Sequence, residues 1–182
     1  MNTIKIYDKT FEIFIEEKEI LDKVKQMAAQ IEEEHKGKDI LFISILNGSF
    51  VFTADLLRDI NMNVKLSFLK LSSYEGERSS GSVRRLIGLN EELEGKTVIV
   101  VEDIIDTGCT LDGIIEDLQG KGPDDIKIAS LLIKPEAYTG SHSIDYTGFE
   151  IPNDFVIGYG LDFDGLGRNL RSVYRLARND ND

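Results

Sequence analysis

Apolar and polar residues alternate along positions 1–15, with Ile4 and Ile6 before Asp8-Lys9 and Phe11, Ile13 and Ile15 after it. This period of two predicts two short strands paired as an edge hairpin. From Glu16 the spacing changes. Ile20, Leu21, Val24, Met27, Ala28 and Ile31 form one stripe that stops at His35-Lys36-Gly37, which predicts an amphipathic helix closed by cationic groups and a glycine. The run Ile40-Leu41-Phe42-Ile43-Ser44-Ile45-Leu46, the turn Asn47-Gly48-Ser49 and a helical stretch to about Ile60 then predict a strand–loop–helix unit.

Positions 64–71 predict a further strand, followed by a polar stretch from Ser72 to Arg85 with no apolar pair. Inside a compact domain such a stretch reads as a functional loop rather than a linker. Thr97-Val98-Ile99-Val100-Val101 is apolar enough for a strand buried on both faces, and the residues after Thr110 read as a helix through Leu118 that stops at Gly120. Positions 126–133 supply another strand, with shorter ones at Phe155-Val156-Ile157 and Val173-Tyr174-Arg175-Leu176. Strands alternating with helices predict an α/β fold around a mostly parallel sheet.

The chain has 182 residues, which suits one domain. Composition narrows the function classes. With 41% hydrophobic and 30% charged residues the chain lies outside the range of disorder. The net charge of −12 is the wrong sign for a surface that grips nucleic acid through its phosphates. No apolar run approaches the roughly 20 residues of a membrane-spanning helix, and the first residues lack the apolar block of a signal peptide. The single cysteine, Cys109, forms no internal disulfide and no Cys/His metal framework, so the reducing cytoplasm is the expected compartment.

The segment Val98 to Thr110 holds the chemistry. A buried strand delivers Glu102 and Asp103 at its C-terminal end, where open α/β sheets bind ligands. The following Asp106-Thr107-Gly108-Cys109-Thr110 places small and hydroxyl residues at a helix start, where free backbone N–H groups and the helix dipole hold a phosphate. Carboxylates beside a phosphate cradle repel the ligand unless they face hydroxyls or share a divalent metal with it. A sugar phosphate satisfies both demands. A capping turn with solvated acids would account for the hydroxyls, but not for the strand end and the glycine together.

This stretch resembles the signature of type I phosphoribosyltransferases, which bind 5-phosphoribosyl pyrophosphate. Leu46-Asn47-Gly48-Ser49 resembles their pyrophosphate loop, Ser73-Tyr74 the start of their catalytic flexible loop, and Ser130-Leu131-Leu132-Ile133-Lys134 the strand ending in a purine-reading lysine. Gly148 to Asp162, with Arg168-Asn169-Leu170, resembles the C-terminal hood of the hypoxanthine-guanine branch. The resemblance implies one domain, with a core of about 16–145 and a hood from about 1–15 and 146–182. It also implies a mostly parallel twisted sheet flanked by helices, and transfer of phosphoribosyl to hypoxanthine, and also guanine, in purine salvage. It further implies Mg²⁺ as cofactor and a homodimer or homotetramer, with neither nucleic acid nor membrane as partner.

The same resemblance assigns roles. Asp106, Thr107, Gly108, Cys109 and Thr110 hold the 5-phosphate; Glu102 and Asp103 face the ribose hydroxyls and the metal. Asp106 is also the catalytic base for the purine's imidazole nitrogen. Lys134 donates to the 6-oxo group, Phe155 stacks on the base and Val156 offers backbone groups. Asp162 is a second metal-side carboxylate, while Asn47, Gly48 and Arg168 contact pyrophosphate. Ser73 and Tyr74 start a lid that keeps water from the sugar cation. One departure stands out: Asn47 occupies a position where the family often has lysine, so the main-chain amide keeps the role without the charge.

Two further patterns compete with this reading. Leu161-Asp162-Phe163-Asp164-Gly165 mimics the first motif of haloacid-dehalogenase-type phosphatases, but too few residues follow to bring up the remaining groups. Asn47-Gly48-Ser49 fits a glycosylation sequon, which has no consequence without secretion. The rival functions are a phosphoribosyltransferase with another acceptor base and a phosphoribosyl pyrophosphate-sensing regulator that binds nucleic acid. The lysine and hood speak against the first, and the charge against the second.

Overall fold

A computed structural model describes residues 3–72, 84–87 and 89–177. Its element order is β1 (Thr3–Ile6), β2 (Lys9–Ile15), α1 (Glu17–Glu34), β3 (Ile40–Leu46), α2 (Phe50–Arg58), β4 (Lys65–Ser72), β5 (Arg84–Ile87), β6 (Thr97–Ile105), α3 (Cys109–Gln119), β7 (Asp125–Ile133), β8 (Tyr146–Glu150), β9 (Val156–Ile157) and β10 (Val173–Leu176). A six-stranded sheet runs β5-β4-β3-β6-β7-β8, parallel except for the edge strand β5. A second, four-stranded sheet runs β1-β2-β10-β9 and is antiparallel throughout. Parallel strands with helices between them make the larger sheet an α/β core, and the smaller sheet, the hood, is built from both ends of the chain.

The apolar runs of β3 and β6 follow from burial on both faces. Ile40, Phe42, Ile99 and Val101 pack with Ile20, Val24, Met27, Ala28, Ile31, Phe52 and Leu56 on the α1/α2 side. Leu41, Ile43, Ile45, Val98 and Val100 pack with Leu111, Ile114, Ile115 and Leu118 of α3 on the other. Alternate residues of one strand thus serve two cores, and the central strands are pinned in register.

Four features differ from the pattern-based expectation. The first hairpin turns at Tyr7-Asp8 rather than Asp8-Lys9, because Tyr7 takes the left-handed conformation (φ 53°). β6 continues through Glu102 and Asp103 to Ile105, carried by parallel pairing of Glu102 with Ser130, Ile104 with Leu132 and Ile105 with Ile133. Arg84 and Arg85 belong to strand β5 rather than to a loop, since they pair with β4. Tyr146–Glu150 forms a strand that its broken alternation did not predict. Ser73 and Tyr74 lie outside the described residues.

β8 is tied to α1 by a polar chain. The Tyr146 hydroxyl donates to Glu34 Oε2 (2.6 Å) and lies 2.7 Å from His35 Nε2. Since that phenol has one proton and a carboxylate only accepts, His35 must donate from Nε2, leaving Nδ1 as a buried nitrogen without a partner. Burial, with the nearby Lys38 charge, holds the imidazole below its ordinary value of 6.5. As pH falls below about 6.5 the unfolded chain binds this proton first, so the His35 contribution to stability is complete above that pH and is lost as pH falls through the folded-state value. Urea midpoints at pH 7.5 and 5 are therefore expected to fall further for the wild type than for His35→Gln, a comparison that isolates this group from carboxylates titrating in the same range.

Candidate active site

The site forms where β6 ends. Leaving the strand, the chain passes Asp106 and Thr107 and enters α3 at Gly108, whose φ of 86° is left-handed and whose missing Cβ would meet the Tyr138 ring at 2.5 Å. Only glycine fits both constraints. The loop is held from the 134–139 segment: Thr139 N donates to Thr107 O (3.0 Å), and Lys134 N donates to Ile105 O (3.0 Å). The α3 N-terminus is therefore presented rigidly, with Thr107, Cys109 and Thr110 exposed around it. Glu102, Asp106, Thr107, Gly108 and Thr110 line one pocket of about 210 Å³ there.

Glu102 and Asp103 carry charge at a cost. Burial, and then the neighbouring Asp103 charge, raises Glu102 well above the usual carboxylate range. Burial pushes Asp103 up to about 6, against the pull of backbone donors and of Arg168. Asp162 adds to the upward push. These acids share one electrostatic neighbourhood that favours a compensating cation.

Asp103 also touches the turn after β3. A Cβ on Gly48 would stand 1.5 Å from Asp103 Oδ2, so the Gly48 backbone lies directly against the carboxylate. That turn, entered through a cis Leu46–Asn47 peptide, rests on a hydroxyl chain that sequence reasoning missed. The Ser49 hydroxyl donates to Ile45 O (2.5 Å). With its single proton used, it must accept from Ser44 (2.8 Å), which in turn accepts from Thr53 (2.8 Å). All three hydroxyl residues are buried. Ser49 and Thr53 stand one helical turn apart and both turn towards β3, a weak signal that the sequence did carry.

Two ion pairs complete the site. Lys134, only 9% exposed, places Nζ 2.9 Å from Asp106 Oδ2, joining residues 28 apart in sequence. Arg168 contacts Asp162 Oδ1 at 2.6 Å and donates to Gly160 O at 2.7 Å. Gly160 lies against the Gly48 carbonyl, where a Cβ would come within 2.0 Å, so the 158–168 loop seats on the turn after β3. Phe155 is 46% exposed at the edge of the hood sheet, whereas Val156 is buried and paired with Arg175.

Set beside known proteins, residues 14–164 match the family model of the phosphoribosyl transferase domain. The chain is 40% identical to hypoxanthine-guanine phosphoribosyltransferase of Lactococcus lactis subsp. lactis over 93% of each chain. It is 43% identical to the enzyme of that name from Dictyostelium discoideum, over 87% of this chain and 91% of the relative. Among solved structures, a hypoxanthine-guanine phosphoribosyltransferase from Bacillus anthracis, with a HEPES molecule in its active site, superposes with a TM-score of 0.85 at 39% identity, covering 92% of this chain and 97% of that one. The α3 start, the paired acids and the Lys134–Asp106 contact all lie within the matched residues, and the chain belongs to the phosphoribosyltransferase family, in its hypoxanthine-guanine branch.

Proposed function

We propose that the chain transfers the 5-phosphoribosyl group of phosphoribosyl pyrophosphate to hypoxanthine and guanine, releasing pyrophosphate in purine salvage. The observation that carries this reading is the Lys134–Asp106 pair beside the α3 N-terminus. It sets a donor for a 6-oxo group and an acceptor for an imidazole proton next to a phosphate cradle.

In this reading the backbone N–H groups and hydroxyls of Asp106 to Thr110 hold the 5-phosphate, and Glu102 and Asp103 accept from the ribose hydroxyls. Asn47 and Gly48 donate main-chain hydrogen bonds to the pyrophosphate, joined by the Arg168 guanidinium. As the bond from the sugar carbon to pyrophosphate breaks and the bond to the purine nitrogen forms, Asp106 takes up the imidazole proton. The purine lies on Phe155, with its edge met by the Val156 backbone and its 6-oxo group by Lys134. Ser73 and Tyr74, outside the described residues, keep the role that the resemblance implies for them, excluding water from the sugar cation.

The donor set suits Mg²⁺. Glu102 and Asp103 offer oxygen ligands whose charge the site disfavours, with Asp162 nearby. Among the described residues no three such side chains converge as a cage, and Mg²⁺ ordinarily keeps waters and substrate oxygens in its shell. Bound there, Mg²⁺ would offset the charge of the departing pyrophosphate. We further propose a homodimer or homotetramer working in the cytoplasm. No helix among the described residues is long and apolar enough to cross a membrane.

The test incubates the protein with phosphoribosyl pyrophosphate, Mg²⁺ and each free base, following nucleotide absorbance. Product with hypoxanthine and guanine is expected; product with adenine or orotate alone would overturn the reading. A variant probes the contact between the Gly48 turn and Asp103. Gly48→Ala displaces the Asp103 carboxylate, a flexible side-chain end, so kcat/KM is expected to fall by about 10²-fold while the urea midpoint hardly moves. Steady-state kinetics and denaturation on the same preparation check both halves.

A further inference from the structure

The segment Leu161-Asp162-Phe163-Asp164-Gly165, which mimicked a phosphatase motif, does something else here. Phe163 opens a tight turn closed by Phe163 N to Leu166 O (2.9 Å) and Leu166 N to Phe163 O (3.0 Å). Asp164 (φ 47°) and Gly165 (φ 83°) supply the two left-handed residues of a type I′ turn. Asp162 accepts from Gly165 N (2.7 Å) while its other oxygen meets Arg168. The backbone of Phe163 is fixed on both sides.

Its ring is equally constrained. Phe155 meets it edge to face at 5.7 Å and 82°, and Tyr7 does the same at 5.8 Å and 82°. Fully buried Phe11 stands 6.2 Å from both Phe163 and Phe155, and Lys9 Nζ lies 5.9 Å from the Phe163 centroid. Among the described residues four side chains therefore converge on Phe163, three of them from the first hairpin. Among the described residues the exposed Phe155 ring has two aromatic neighbours, and of these Phe163 meets it at a near-perpendicular angle.

We infer that Phe163 is the positioning residue that sets the plane of Phe155, and that the first hairpin, through Tyr7, holds Phe163 in place. Edge-to-face geometry suits this task, because the positive rim of one ring against the negative face of another penalises rotation. The inference rests on the reading that the purine stacks on Phe155. It adds a specificity element outside the polar site, and it gives a function to a hairpin that would otherwise only cover the hood edge.

The experiment compares steady-state constants for hypoxanthine and for phosphoribosyl pyrophosphate in Phe155→Ala, Phe163→Ala, Phe163→Leu, Phe163→Tyr and Tyr7→Ala. Phe155→Ala is the reference and should raise the hypoxanthine KM. Phe163→Ala is expected to raise it by about three- to tenfold, with the phosphoribosyl pyrophosphate KM unchanged within about twofold. Phe163→Leu keeps apolar bulk without a ring and should show the same split, which covers the case in which the alanine variant fails to fold. Phe163→Tyr should restore wild-type values, and Tyr7→Ala should move the hypoxanthine KM in the same direction by about twofold. If Phe155→Ala raises the hypoxanthine KM while Phe163→Leu leaves it alone, or raises both KM values together, the positioning role is overturned. If Phe155→Ala itself has no effect, the stacking reading fails and takes this inference with it.

Discussion

Asp106→Asn is expected to lower kcat by about 10²–10⁴-fold while leaving the KM for phosphoribosyl pyrophosphate within about threefold. Asparagine keeps the shape of the side chain and its place in the loop, and the backbone groups proposed to hold the 5-phosphate are untouched. What it removes is the ability to take up a proton, together with the negative charge that pairs with Lys134. The Asp106 carboxylate is half exposed, with Oδ2 on Lys134, so a ligand can reach it from the solvent side. A variant that lost turnover and sugar-phosphate affinity in equal measure would show that Asp106 holds the loop together rather than handling the purine proton. Pre-steady-state measurement of the chemical step separates these outcomes from a change in product release.

Lys134→Ala should damage base recognition more than any other single change. The ammonium is nearly buried at the end of β7, with its main-chain N–H and C=O fixed by Ile105 and by Ala137 and Tyr138. Its head group therefore has little freedom to be anything but a donor towards Asp106 and whatever binds beside it. A hydrogen bond from a charged donor is worth about 1.5–3 kcal/mol, so the KM for hypoxanthine should rise by roughly 10- to 100-fold. Adenine carries an amino donor where hypoxanthine carries an acceptor, so the discrimination between them should collapse. Asp106, being half exposed, can recruit water once its partner is gone, which keeps the cost to folding small. Retention of the 6-oxopurine preference in this variant would show that another group reads that position.

Both predictions depend on a contact that the order of residues did not display. Asp106 and Lys134 were each legible as candidates, one at a strand-to-helix turn and one after a buried strand, but their approach to 2.9 Å follows from the parallel register of β6 and β7. Periodicity did expose β3, β6, α1 and α3, because each has one or two faces buried against large apolar neighbours. It did not reveal that β6 runs on through Glu102 and Asp103, since polar residues at a strand end look like loop until their pairing partner is known. β5 and β8 escaped for a related reason. Both are short edge strands, and in β8 the alternation is broken by Gly148, whose missing side chain makes room for the Leu131 carbonyl. The packing of Gly48 on Asp103, and of Gly160 on Gly48, is tertiary by nature, and no local pattern encodes it.

The hood sheet places β2 beside β10, with Ile15 opposite Val173. During synthesis the first hairpin emerges early and must wait, with one long edge unpaired, until residues 173–176 have left the ribosome. All six strands of the core sheet have been made by Glu150, so that sheet can pair beforehand. Truncated or stalled products would then retain an assembled core beneath an unfinished hood, and a bare strand edge of that kind is what chaperones and rival chains capture.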